Sequence, residues 1–592
     1  MCLSLDRAHQ RPLSFSRRKI YIFCFTLHIF REIFSDGNVA PSEKRREPLQ
    51  SSGERRHCDS SHLIMSFRST DRGFKQHGDA KKKRERSDVT LRDARKSAMV
   101  SDSRKRTKTT QSNQAEAQLE ENNLATYKGW VYSNEPTLQG QGASMLRKLS
   151  GMPANHCQLY SEDLYKRLLG LIAHPDSCPA LQVDCVWVLT NLCSGPSAVV
   201  HHLAAMGVIQ QFVALLSAAR IDTVLPAVWG LGNIAGESDA DLQEHVLKCR
   251  VLSNLVEVAQ KYDGWDVQPA PATGVTRDEL LACLVWALSN MGLFRPLLVS
   301  AVYLQQWLCV VVNLLSRNTG NVDLRRTGCL ALAQITAQIQ KAGTTKDLDL
   351  VVRTGAVRPL IWCASSDLVG TDTTLHAVRA LNNIVAGTGA QTQAVLDNGG
   401  MGVLRTLAGH TSAEVRREAC WAMSNVAAGT SVQIQAMIEC GALGVLVDAI
   451  SNENETNYVR REAVWALRNI VVAGTRAQRQ VSVSNGVVAA MTVMLDCKDN
   501  DVIGIAVECL LSLCTTGADD WSSEDVAAGG VHESIHRSRG ADMLEELQNG
   551  DDELPHSLDS NITALVECLR TAATEAQSEP MDVAQESTFC TV

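Results

Sequence analysis

A tryptophan followed four residues later by an asparagine recurs five times along this chain. The pairs are Trp187–Asn191, Trp229–Asn233, Trp286–Asn290, Trp421–Asn425 and Trp465–Asn469. They sit in VWVLTNLCSG, VWGLGNIAGE, VWALSNMG, CWAMSNVAAGT and VWALRNIVVAGT, and a variant, VRALNNIVAGT, carries Arg379 with Asn383. Residues i and i+4 share one helix face, a turn apart. Stacked copies would therefore line one surface with a ladder of indoles and amides. A packed core does not need an amide on every rung, whereas a surface gripping an extended peptide does.

The spacing predicts an all-α solenoid. Successive motifs lie 42 residues apart (187 to 229, and 379 to 421) or 44 apart (421 to 465). Helical repeats of about 40–47 residues are those of armadillo and HEAT arrays. The step from 229 to 286 is longer by a Pro/Gly/Thr-rich insertion, Lys261–Arg277. Between Trp286 and Arg379 lies a degenerate copy, with Leu330 in the tryptophan place and Gln334 in the asparagine place. Another follows near Cys509. Glycine-led apolar runs such as NGGMGVLRTLAG predict a turn and then a buried helix.

Composition narrows the function. Apolar residues make up 45% of the chain but aromatics only 5%, and half of the ten tryptophans fall in the motif. The 19 cysteines include no CxxC pair and read as small buried hydrophobes of a reduced compartment. The 15 histidines are read as forming no metal site. Gly-rich stretches such as AGTGAQTQ follow helices and lack GKS/T, so they are not phosphate loops. No nucleophile–base or paired-carboxylate arrangement stands out, so neither enzymatic activity nor a cofactor is expected.

The net charge of −8 hides a local asymmetry: residues 72–108 carry 14 Lys/Arg against 5 Asp/Glu. Such a strip cannot bury a core of its own and reads as a nuclear-localisation or nucleic-acid arm. The first 64 residues, with the apolar run Ile20–Phe30, are too short in hydrophobic length to span a bilayer. They read as a disordered extension or misassigned start before Met65, with a targeting segment as the alternative.

The basic strip KKKRERSDVTLRDARKS ahead of LRKLSG (Leu146–Gly151) and the Trp/Asn array resembles the importin-alpha (karyopherin-alpha) family of nuclear import adaptors, over about residues 72–570. The resemblance implies a right-handed superhelix of about ten armadillo repeats that binds Lys/Arg-rich nuclear localisation signals on its concave face. It implies domains at 1–64 (extension), 65–110 (importin-beta-binding segment), 111–140 (linker), 141–540 (repeats), 541–572 (acidic segment and terminal helix) and 573–592 (disordered tail). Lys81, Lys82, Lys83, Arg84, Arg86, Arg92, Arg95 and Lys96 would engage importin-beta. Arg104, Lys105 and Arg106 would fold back as an autoinhibitory cargo mimic.

By the same resemblance the major groove comprises Trp187, Asn191, Gly195, Trp229, Asn233, Glu237, Trp286 and Asn290. Glu237 stands where the family has aspartate, and Val200 where it has threonine, so the lysine pocket departs from the pattern. The minor groove comprises Arg379, Asn383, Gly387, Thr392, Trp421, Asn425, Glu462, Trp465 and Asn469, and keeps the pattern better. Parallel indole walls would take Lys/Arg stems by cation–π attraction, about 0.5–2 kcal/mol each. Asp542–Glu553, with six acids, reads equally as a solvated tail or as the place where the family's recycling exportin binds with Ran-GTP. The protein would shuttle between cytoplasm and nucleus, binding neither membrane nor nucleic acid directly. The rivals are an armadillo scaffold for acidic partners, a nucleic-acid-binding protein using the basic arm, and a membrane-anchored protein held by Ile20–Phe30.

Overall fold

The computed structural model describes residues 123–578, apart from 153–154, 175–176, 238, 263–273, 293–300, 318–319, 343, 367–369, 516–529 and 551–554. The importin-beta-binding and autoinhibitory candidates and Ile20–Phe30 lie outside the described residues. Every regular element described is helical.

Ten helices form the spine: α1 Pro136–Ser150, α2 Pro179–Leu192, α3 Ile221–Ala235, α4 Arg277–Met291, α5 Val322–Ala342, α6 Thr371–Val385, α7 Ala413–Ala427, α8 Asn457–Ala473, α9 Asn500–Cys514 and α10 His556–Ser578. Each packs on the next in chain order. Between most of them run two shorter helices, as with Ser431–Glu439 and Ala442–Ser451 before α8. The repeating unit is thus three helices, as in an armadillo array, and its core is a continuous row of buried Leu, Val, Ile and Ala. No single described helix is long and apolar enough to cross a membrane.

Two boundaries differ from the expected ones. The span read as a linker, 111–140, holds the helix Leu124–Tyr132, whose Tyr127 and Val131 are buried at helical spacing against α1, and the start of α1 itself. Downstream, α10 supplies a tenth spine helix and runs to Ser578, so the array continues past 540 and helix extends into the span read as tail.

The bend between the two short helices is sharp, 73° at residues 205–208 and 75° at 439–442. The chain makes it with one residue in the left-handed region. That residue is glycine at 207, 355, 399, 441 and 486, with φ from 78° to 92°. Arg250 (φ 55°) and Arg539 (φ 60°) hold the corresponding corners. A Cβ is disfavoured there, so Arg250→Gly is expected to raise stability by about 0.5–1 kcal/mol after glycine's larger unfolded-state entropy is allowed for. Gly441→Ala should lower it by about 1 kcal/mol. Chemical denaturation of both variants checks the pair; equal stability of Arg250→Gly and wild type would remove the strain argument.

In the later repeats the first short helix opens with a reciprocal capping box: Thr388/Gln391, Thr430/Gln433 and Thr475/Gln478. Each glutamine oxygen caps its own helix, satisfying a donor that would otherwise lack a partner. The nitrogen reaches back one repeat. Gln433 donates to the Gly389 carbonyl at 2.8 Å, Gln478 to the Ser431 carbonyl at 2.8 Å, and Gln391 to Asp349 at 2.7 Å.

Candidate functional site

The six asparagines of the motif share one bonding rule. Each amide nitrogen donates to the preceding spine helix, at or near the residue just before that helix's own asparagine slot. Asn233 donates to the Thr190 carbonyl (3.1 Å), Asn290 to Gly232 (2.9 Å), Asn469 to Ser424 (3.0 Å), Asn383 to Ala333 (3.3 Å) and Asn191 to Arg147 (3.4 Å). Asn425 uses the side-chain oxygen of Asn382, at 2.8 Å. Asn191 and Asn383 also reach the hydroxyls of Ser150 and Thr336, each at 3.0 Å. The stack itself therefore employs the amides, contrary to the reading that only a peptide-gripping surface needs them. With the nitrogen anchored, each amide plane is fixed; the Asn469 oxygen accepts from Arg468 at 3.2 Å and the Asn233 oxygen is buried.

The tryptophans also differ from parallel walls. Trp187 and Trp229 meet edge to face, centroids 5.8 Å apart at 61°, and Trp229 and Trp286 are tilted by 55° at 5.9 Å. Inclined rings at this separation touch, which is the favoured aromatic geometry. Trp286 is only 6% exposed. Gly232 explains its depth, because a Cβ there would run into the Trp286 ring. Asn233 and Asn290 are buried beside it, and the Asn233 oxygen has no hydrogen-bond partner. Arg379, Asn383, Trp421, Asn425, Glu462, Trp465 and Asn469 are all half-buried instead.

The remaining candidates lie at the ends of spine helices or in the short helices that follow them. Gly195 sits half-buried against the His156 ring, and Val200 is buried. Glu237 is half-buried, and its carbonyl accepts from Gln243 at 3.3 Å. Gly387 lies where a Cβ would strike the capping Gln391. Thr392 is buried, and its hydroxyl donates to the Val385 carbonyl at 3.0 Å, an orientation set by the scaffold.

Charged residues that the motif reading passed over complete the surface. Arg147 lies over the Trp187 ring at 5.1 Å and pairs with Asp184 at 2.8 Å. Arg468 lies over Trp465 at 5.9 Å and pairs with Glu508, which holds the tryptophan place of the degenerate last copy. Glu418 is buried and bonds Arg379 (3.3 Å), Arg417 (3.0 Å) and Asn382 (3.2 Å). Asp184, Glu418 and Glu462 all lie three residues before a motif tryptophan. That shared register was the available signal. The indole faces thus already receive guanidinium groups from the chain, with carboxylates one turn away.

Comparison with known proteins agrees with this architecture. The Armadillo/beta-catenin-like repeat family matches residues 197–236, 390–428 and 430–472. The chain is 27% identical to importin subunit alpha-1b of Oryza sativa subsp. japonica, over 71% of this chain and 74% of that protein. It is 28% identical to importin subunit alpha-3 of Arabidopsis thaliana, over 73% and 77%. An engineered protein of known structure superposes with a TM-score of 0.60 at 21% identity, covering 76% of this chain and 99% of its own, which shows the fold. Spine register, repeat match and relatives converge: the chain folds as an armadillo-repeat solenoid and is similar in sequence to importin alpha subunits.

Proposed function

We propose that this protein is a nuclear import adaptor whose spine-helix surface binds Lys/Arg-rich localisation signals in extended conformation. The observation that carries the reading is the pairing, on successive spine helices, of an indole face with an amide at i+4, two of those indoles already carrying an arginine. A signal peptide would bring the same cation and lay its stem along the ring. Its backbone N–H groups would find amide oxygens at regular intervals, independent of peptide sequence. The relatives carry the names of importin subunits, not of enzymes, and the role proposed is binding without catalysis.

In this reading the half-buried stretch from Arg379 to Asn469 receives peptide more readily than the Trp187–Asn290 stretch. There Trp286, Asn233 and Asn290 are buried and the indoles rest on one another. The basic residues from Lys81 to Lys96 would link the adaptor to importin-beta. Arg104–Lys105–Arg106 would compete with cargo at a tethered effective concentration of about a millimolar. Acidic residues of the 542–553 segment would meet a recycling exportin with Ran-GTP as the protein shuttles between cytoplasm and nucleus.

Fluorescence polarisation with a labelled Lys/Arg-rich peptide tests this, with a Glu-rich peptide as control. The basic peptide alone should bind, and more tightly when the chain is shortened to begin at Thr110. Asn425→Ala should weaken binding about two- to thirteenfold, the 0.5–1.5 kcal/mol of one hydrogen bond, and Asn233→Ala by less. Equal binding of both peptides would reject the adaptor reading. A larger loss at Asn233 would reassign the principal stretch.

A further inference from the structure

The end of the array brings together three groups that the sequence keeps far apart. Cys514 is the last residue of α9, His532 lies in the helix Gly530–Arg537, and Cys568 lies in α10. Their two Sγ atoms and one imidazole nitrogen all lie within 4.8 Å of one another, and Cys568 Sγ is 3.7 Å from His532 Nε2. Cys514 is buried and the other two are half-buried. Bonds of about 2.3 Å to sulfur and about 2.0–2.1 Å to nitrogen, in a tetrahedron, place S and N about 3.6 Å apart and two sulfurs about 3.8 Å apart. The observed separation is already close to that requirement.

The donor set also selects the ion. Two thiolates and an imidazole suit zinc, and oxygen-seeking magnesium or calcium poorly. The cations nearest in sequence are engaged elsewhere: Arg537 pairs with Glu533 at 2.8 Å and Arg570 with Glu545 at 3.1 Å. We infer that Cys514, His532 and Cys568 bind one Zn2+ ion, which ties the end of α9 to the helices that close the array. Both thiols give up their protons to solvent as the two Zn–S bonds form, His532 binds as the neutral ring, and water takes the fourth position. His532 and His536 are spaced i, i+4, so the histidines do include a metal-type spacing, contrary to the expectation of none. His536 is exposed, and its ring is not among the three converging groups.

The test uses the full chain, reduced, stripped with a chelator and dialysed against Zn2+ or Co2+. The expected result is stoichiometric uptake, thiolate-to-cobalt charge-transfer and tetrahedral d–d bands, and a higher Tm with Zn2+ than without. Cys568→Ser and His532→Gln should lose all three, while Cys157→Ser, at an exposed cysteine elsewhere, keeps them. Far-UV circular dichroism confirms that each variant is folded. If Cys568→Ser does not fold, His532→Gln and the wild-type thermal shift decide. Sub-stoichiometric uptake by the reduced wild type, or undiminished uptake by folded His532→Gln, overturns the proposal. So does a Cys514–Cys568 disulfide that persists under the reducing conditions of the assay.

Discussion

Trp286→Ala is expected to cost about 3–5 kcal/mol of local stability, the range for removing a buried tryptophan. The indole is 6% exposed, rests against Trp229 and occupies the space that Gly232 leaves by lacking a Cβ. Its loss would open a cavity between α3 and α4, because Gly232 offers no side chain to fill it. Half-buried Trp421 has the same sequence signature, but its substitution should cost markedly less. Amide hydrogen exchange across α3, α4 and α7 reads both effects, since repeat arrays lose stability locally rather than all at once. Equal loss of protection in the two variants would show that depth does not distinguish these indoles. Gly232→Ala should reproduce part of the Trp286 effect, at about 1–3 kcal/mol, by overpacking the same contact.

Arg416→Ala is expected to be comparably damaging, about 3–5 kcal/mol, for an electrostatic reason. Arg416 grips Glu455 with two bonds, 2.6 and 2.8 Å, and the Glu455 side chain is only 5% exposed. Burial pushes the Glu455 carboxyl up. The Arg416 bonds and the Thr456 N–H more than reverse this, so it lies below the usual carboxylate range. A carboxylate with a depressed folded value stabilises fully above its unfolded value and loses that contribution as pH falls through the folded one. With the arginine gone, burial is opposed only by Thr456, and the carboxyl can fold neutral at higher pH. The gap between variant and wild type should therefore be largest near neutrality and shrink as pH falls from the variant's raised folded value to the wild type's, which lies below 4.5. A gap independent of pH in denaturant melts would assign the loss to packing of the arginine stem.

Much of this molecule was legible one repeat at a time. The interval between Trp/Asn pairs gave the period, and each glycine-led run marked a corner that is indeed left-handed. What escaped lies between repeats. The acceptor of Asn290 is 58 residues away and Glu455 is 39 residues from Arg416, so periodicity names the residue but not its partner. Arg250 and Arg539 turn the same corner as the glycines, yet nothing local announces an arginine with positive φ. The tryptophans were legible as a series, but their depth was not. For Trp286 it depends on the residue just before the preceding asparagine, Gly232, which leaves room for the ring. Cys514, His532 and Cys568 share no motif because three separate helices deliver them.

The bonds between repeats divide by direction: arginines of an earlier repeat donate to carboxylates of the later one, as Arg416 does to Glu455, whereas the motif asparagines and capping-box glutamines donate backwards. In the asparagine series and in the glutamine series alike, the donor belongs to the later repeat and the acceptor to the earlier one. The asparagine-series acceptors are mostly carbonyls inside a spine helix, so those helices are hydrogen-bonded before the next repeat arrives. A chain emerging from the ribosome amino end first would offer each new amide a landing place already made. The first spine helix fits this order. Its asparagine place is taken by Lys148, an exposed residue with no amide to place. The asparagine and glutamine amides thus face the amino end, so trimming repeats from that end should remove their acceptors, whereas trimming from the carboxyl end should remove the carboxylates that the arginines hold.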